Sequence, residues 1–159
     1  MNFLLRGLVG ILTFAAISAF AKDLVEDFNP YVLLAKTKAW SAERLMRKGS
    51  IRLRFKRTTD RGTETEIYVP STPSTILVST ELVTWNDKNY LLTFWQEGVS
   101  TTAIRVFDPA AKGKTVLLER YSLGDVGAKV TPTGLTLRLA EPSEYPLEPH
   151  ERIEKWSVP

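Results

Sequence analysis

Residues 90 to 95 read Tyr-Leu-Leu-Thr-Phe-Trp, YLLTFW, and this stretch decides how the rest of the chain is read. In a strand, Tyr90, Leu92 and Phe94 point to one side and Leu91, Thr93 and Trp95 to the other. Both sides are then apolar. A sheet that is hydrophobic on both faces sits between two layers. One set of side chains belongs to a core, and the other is expected under a second layer, for which the N-terminal segment, read as helical, is the candidate cover. The alternative is an exposed aromatic platform that stacks on sugar rings or takes a partner protein. Trp85, Tyr90, Trp95 and Tyr121 are its candidate residues, with Arg105 supplying polar contacts near the Glu97-Gly98 turn.

Outward from this stretch, β-branched and aromatic runs recur at 51–57, 64–69, 75–84, 89–96, 102–107, 115–121, 127–131, 134–140 and 151–157. The links between them, among them DRG, NDKN, EG, DPAAKGK, LGD and TPTG, are rich in residues that suit tight turns. Parallel crossovers need a dozen or more residues, so these short links imply antiparallel pairing. The expected fold is mainly β: an antiparallel β-sandwich or small barrel-like meander of about eight strands, with a short N-terminal helical segment. The stretches VTWNDKNYLLTF and IRVFDPAAKGKTVLLERY resemble strand pairs of a β-propeller blade. A closed propeller needs about four or more such blades, and no repeat of that period is present. An outer-membrane barrel fits poorly, because the runs are shorter than the ~9–11 residues required and YLLTFW lacks the lipid-facing alternation.

The helical segment is placed at about 30–48. Asn29 suits an N-cap before Pro30, Ser41 offers a second start, Arg47 and Lys48 suit a last turn, and Gly49 a stop. At the other end, Pro142, Pro146 and Pro149 favour an extended strap over about 141–159, closing with a strand anchored by Ile153 and Trp156.

The stretch IRLRFKRTTDRGTETEIYV, 51 to 69, alternates Arg52, Arg54 and Lys56 with Ile51, Leu53 and Phe55. A three-residue loop at Asp60-Arg61-Gly62 would set Phe55 opposite Ile67 and Leu53 opposite Val69, with Lys56 opposite Glu66 and Arg54 opposite Tyr68. The basic stripe is then the solvated face of a self-neutralising hairpin rather than a polyanion site.

The N-terminus sets the expected compartment. Arg6, an apolar run and Ala19-Phe20-Ala21 together form a secretory signal peptide over 1–21, cleaved near Ala21. The uncharged run falls short of the ~20 residues that span a bilayer. Removing 21 residues from 159 leaves 138, the size of one β-rich domain, 22–159. With Arg6 gone, 20 basic residues face 18 acidic ones, a balance of +2 that does not argue for nucleic acid. The expected location is periplasmic or secreted, with no stable membrane insertion after cleavage. The chain has no cysteine, so apolar burial and strand pairing must hold it together.

The same absence removes cysteine nucleophiles and thiolate metal sites, and His150 is the sole histidine. It lies among Glu148, Pro149 and Glu151, a polar context with no nucleophile elbow elsewhere to serve it. No metal, no cofactor and no catalytic residue is expected. AAKGKT lacks the first glycine and spacer of a phosphate loop, and DPAAKGK is too poor in acids for a calcium loop. Glu64 and Glu66 share a strand face and are the one carboxylate pair suited to glycan hydrolysis. The preferred expectation is an exported, non-enzymatic β-domain that binds a protein or cell-envelope component as assembly factor, adaptor or inhibitor. A small carboxylate-dependent glycan hydrolase and a self-assembling matrix subunit are the alternatives.

Overall fold

A computed structural model of the chain describes residues 31–47, 49–72, 75–113, 115–142 and 150–159. The expected signal peptide, Asn29-Pro30 and residues 143–149 of the strap, with Pro146 and Pro149, lie outside the described residues. Eleven strands are described: β1 (Val32–Lys36), β2 (Trp40–Arg47), β3 (Ser50–Thr59), β4 (Gly62–Tyr68), β5 (Thr75–Trp85), β6 (Lys88–Glu97), β7 (Thr101–Phe107), β8 (Val116–Leu123), β9 (Gly127–Thr131), β10 (Gly134–Glu141) and β11 (His150–Ser157). All pairings are antiparallel between consecutive strands, in three sheets: β1 to β4, β5 to β8 and β9 to β11. The second sheet holds both propeller-like stretches and is a four-stranded meander of the kind a blade uses.

Among the described residues there is no helix, and the helical segment expected at about 30–48 is instead the β1–β2 hairpin. Residues 41 to 47 are rich in helix formers, but that preference amounts to tenths of a kcal/mol per residue. Burying Trp40, which is 3% exposed, contributes roughly 1.5–3 kcal/mol. In the strand, Trp40 and Ala42 face inward together, opposite Arg57 and Phe55 of β3. Thr37 closes the turn, its Oγ1 accepting from the amides of Ala39 and Trp40 at 3.2 and 3.1 Å.

Two hydrophobic cores flank the second sheet. Leu77, Leu91, Trp95, Ala103 and Phe107 cluster with Trp40, Ala42, Ile51, Leu53 and Phe55 of the first sheet. Val83, Trp85, Tyr90, Leu92, Ile104, Val106 and Leu118 cluster with Leu135, Leu137 and Leu139 of the third. The two faces of YLLTFW therefore enter different cores, each shared with another sheet, and no helix is needed as a cover. Trp156 packs edge-on against Trp85, centroids 5.7 Å apart, and anchors β11. Ile153, expected to share that task, is 66% exposed.

The β3–β4 hairpin turns one residue tighter than expected. Thr59 pairs with Gly62 across Asp60-Arg61, which sets Phe55 opposite Glu66, Leu53 opposite Tyr68, Arg54 opposite Ile67 and Lys56 opposite Thr65. The inward Glu66 is satisfied by the Arg57 guanidinium and the Thr115 hydroxyl. Arg57 also donates to the Ala111 carbonyl, pinning the loop after β7. Tyr68 takes the apolar place expected for Val69, meeting Phe107 edge-on at 4.9 Å, while Ile67 and Val69 stay half exposed. The basic stripe finds its acid on β2: Glu43 accepts from Arg54 Nε at 2.7 Å and Lys56 Nζ at 3.0 Å. Burial alone would raise the Glu43 carboxyl's pKa, but Lys56 and Arg54 outweigh it and hold the group below its usual value.

Candidate functional site

The five residues singled out from the sequence do not form one surface. Trp85 and Tyr90 lie in the core shared with the third sheet, 1% and 3% exposed. Trp85 Nε1 donates to the Thr131 carbonyl at 2.9 Å, and its ring meets Tyr90 at 5.4 Å. Trp95 lies on the opposite side, fully buried, with Nε1 donating to Thr93 Oγ1 at 2.7 Å. Thr93 Oγ1 in turn donates to the Arg105 carbonyl at 3.2 Å, which satisfies a hydroxyl placed in an apolar setting. An exposed aromatic platform made of these rings is not what the fold builds. The reason is their number: with apolar residues on both faces of β6, each face joins a buried cluster with residues of another sheet.

Arg105 and Tyr121 do meet. Arg105 is fully buried, yet its Nε donates to Glu119 Oε1 at 2.5 Å and its Nη2 to Glu97 and to the Tyr121 hydroxyl. The guanidinium carbon lies 5.4 to 5.8 Å from the ring centres of Trp95, Tyr121 and Tyr68. Burial acts to lower the guanidinium's pKa, but its hydrogen bonds to the Glu97 and Glu119 carboxylates overcome this and raise it. Burial also pushes the Tyr68 hydroxyl up to about 12. Two carboxylates on one cation leave this cluster without surplus positive charge, and both Glu119, 39% exposed at its side chain, and Tyr121, 45% exposed, reach the surface. Chemically it is an internal ion-pair node between sheets.

The carboxylate pair is also divided. Glu66 is held by Arg57 and Thr115, whereas Glu64 sits exposed with Lys112 Nζ 4.0 Å away. His150 is exposed at the first position of β11, opposite Glu141.

A concavity among the described residues lies elsewhere, at the turn end of the first two sheets. A cleft of about 490 Å³ is bounded by the β1–β2 turn, the β5–β6 turn and the start of the β7–β8 loop. Trp40, Leu82, Ala39 and Ala110 give it apolar surface; Lys36, Lys38, Lys88, Asp87, Asp108 and Asn89 give it charge and polarity. The β5–β6 turn is a two-residue connection with positive φ at both Asn86 (48°) and Asp87 (60°). Such turns favour Asn-Gly, so Asp87 stands where glycine is the easier residue. The sequence signal for this site was the unusual Asn-Asp pair in WNDKN, together with Lys-Thr-Lys before Trp40; neither points to the other until the sheets stack. Compared with protein-family models, with curated proteins and with solved structures, the chain finds no match.

Proposed function

We propose that this chain is an exported, non-enzymatic β-domain that binds a protein or cell-envelope component, acting in the periplasm or outside the cell after cleavage near Ala21. The three sheets are read as layers of a sandwich, with β5 to β8 in the middle. In that arrangement the aromatics of the middle layer other than Tyr121 go to its two cores, and recognition falls to turn ends and rims. The observation that carries the reading is the cleft of about 490 Å³, which has the size of a ligand site and gathers charged side chains from three separate connections. The signal peptide read in residues 1–21 supplies the compartment.

Residues 22–159 used as bait on envelope extract, with isolated cell wall as a second bait, test this. One enriched protein, or retention on the wall, is the expected result. If neither bait retains anything and the purified chain runs as large oligomers on a sizing column, the reading is replaced by that of a self-assembling subunit. If Glu64→Gln with Glu66→Gln abolishes a wall-lytic activity of the wild type, the domain is an enzyme instead.

A further inference from the structure

Four of the five charged groups in the turn-end cleft have no ion-pair or hydrogen-bond partner among the described residues. Lys36, Lys38 and Lys88 form no ion pair with any described residue, in contrast to Arg54, Arg57, Arg105 and Arg120, which are all paired. Asp108 is committed, because its Oδ1 accepts from the amides of Ala110 and Ala111 at 3.0 and 3.2 Å. Asp87 has no hydrogen-bond or ion-pair partner among the described residues. Asn89 uses its Oδ1 on Thr84 Oγ1 at 2.9 Å and keeps its amide N–H groups for another acceptor. Three ammonium groups against two carboxylates leave the cleft with a charge of +1.

From this arrangement we propose that the cleft binds a hydroxylated anion, a sugar bearing one phosphate or carboxylate group. The inference rests on the binding reading above and names its ligand class. Lysines act as point charges and accept either anionic group. Asp87, an acceptor without a donor, suits a sugar hydroxyl, and the Asn89 amide suits a ring or hydroxyl oxygen. Leu82 and the two alanines, all exposed, suit the C–H face of a sugar ring, and the volume accommodates one or two rings. Retaining Asp87 at a φ of 60° keeps a carboxylate in the cleft at a conformational cost that glycine would avoid.

The test uses calorimetry and amide NMR on residues 22–159 with glucose 6-phosphate, glucuronate, glucose, inorganic phosphate and an acidic tripeptide. Glucose 6-phosphate or glucuronate should bind and shift the amides of Lys36, Lys38, Asp87, Lys88 and Asn89, with the stronger of the two identifying the anionic group. Glucose, phosphate and the peptide should bind at least about tenfold more weakly. Lys36→Gln, Lys38→Gln and Lys88→Gln combined should weaken sugar-anion binding by about tenfold or more, while Lys129→Gln with Lys155→Gln leaves it unchanged. Asp87→Gly should raise the melting temperature and weaken the sugar anion several-fold. No binding of either sugar anion at about 10 mM, or equal binding of the tripeptide, overturns the proposal. If the triple variant loses an envelope partner while the wild type binds no sugar anion, the binding reading stands and this inference falls. If a sugar anion binds and the envelope baits stay empty, the inference stands without a macromolecular partner.

Discussion

The face of β6 that carries Leu91, Thr93 and Trp95 meets the first sheet with a charge inside it; the face that carries Tyr90 and Leu92 meets the third sheet with almost none. On the first side, Arg105 is fully buried with Glu97 beneath it, and Arg57 with Glu66 closes the opposite end. On the second side, Trp85, Leu92, Ile104, Leu135, Leu137 and Leu139 are essentially dry, and charge enters only at the margin, where Arg120 Nε bridges Glu154 at 2.8 and 3.0 Å. The difference is one of failure modes. An apolar core loses transfer energy and gains a cavity when truncated. A core with a buried ion pair also strands the remaining charge, while replacing the whole pair with apolar groups costs little.

The largest effect should come from breaking the charged side. Arg105→Ala leaves Glu97, only 8% exposed at its side chain, without its cation, and should cost about 3–5 kcal/mol in urea unfolding. Arg105→Met combined with Glu97→Gln and Glu119→Gln should restore most of that loss. A triple variant no more stable than Arg105→Ala would show that the ion pairs themselves stabilise the node, beyond filling its volume and avoiding a stranded charge. On the dry side, Leu137→Ala should cost about 2–5 kcal/mol and Leu137→Met under about 1.5, since only volume and shape matter there.

Gly134→Ala gives a backbone version of the same contrast. A Cβ at this position would lie 2.0 Å from the Trp156 carbonyl oxygen and 2.8 Å from Ser157 Cα, so β10 and β11 must separate to admit it. A loss of about 1–3 kcal/mol is expected, with hydrogen-exchange protection falling first in the third sheet. A smaller effect is a pH dependence. The hydrogen bond from Arg120 holds the Glu154 carboxyl below its usual pKa, outweighing burial. A depressed folded-state pKa stabilises above the unfolded value of about 4.3 and is lost as pH falls through the folded one. Thermal melts from pH 6 downward should therefore show a shallower decline for Glu154→Gln than for the wild type. Smallest of all, Arg52→Ala should change stability by no more than about 0.5 kcal/mol, because this residue decorates the outer face of β3.

Much of the strand pattern was readable residue by residue. The run 127–131 is found as β9 without a shift, and 89–96 as β6 with one residue added at each end. The β1–β2 hairpin was not, since residues 41 to 47 favour a helix locally and become a strand only because Trp40 and Ala42 have Phe55 and the second sheet to pack against. The register of β3 and β4 failed for a related reason. Matching Phe55 to Ile67 was the best local pairing, but Arg57 and Thr115 supply partners that make an inward Glu66 acceptable. As for the site, Trp85, Tyr90 and Trp95 were conspicuous because they are large, and size is what draws them into the cores. The lysines of the cleft were inconspicuous because each lies in or beside a short connection, with Lys88 far in sequence from Lys36 and Lys38.

The period of two in the side chains, the short turn-rich links and the double-faced YLLTFW stretch are local properties, and they determined by themselves an antiparallel β protein with a strand that is apolar on both faces. Which residues pair across a hairpin, what covers that sheet, and which turns converge on one cleft depend on contacts between residues far apart in the chain. Those energies exist only once the sheets are assembled, so only the tertiary structure decided them.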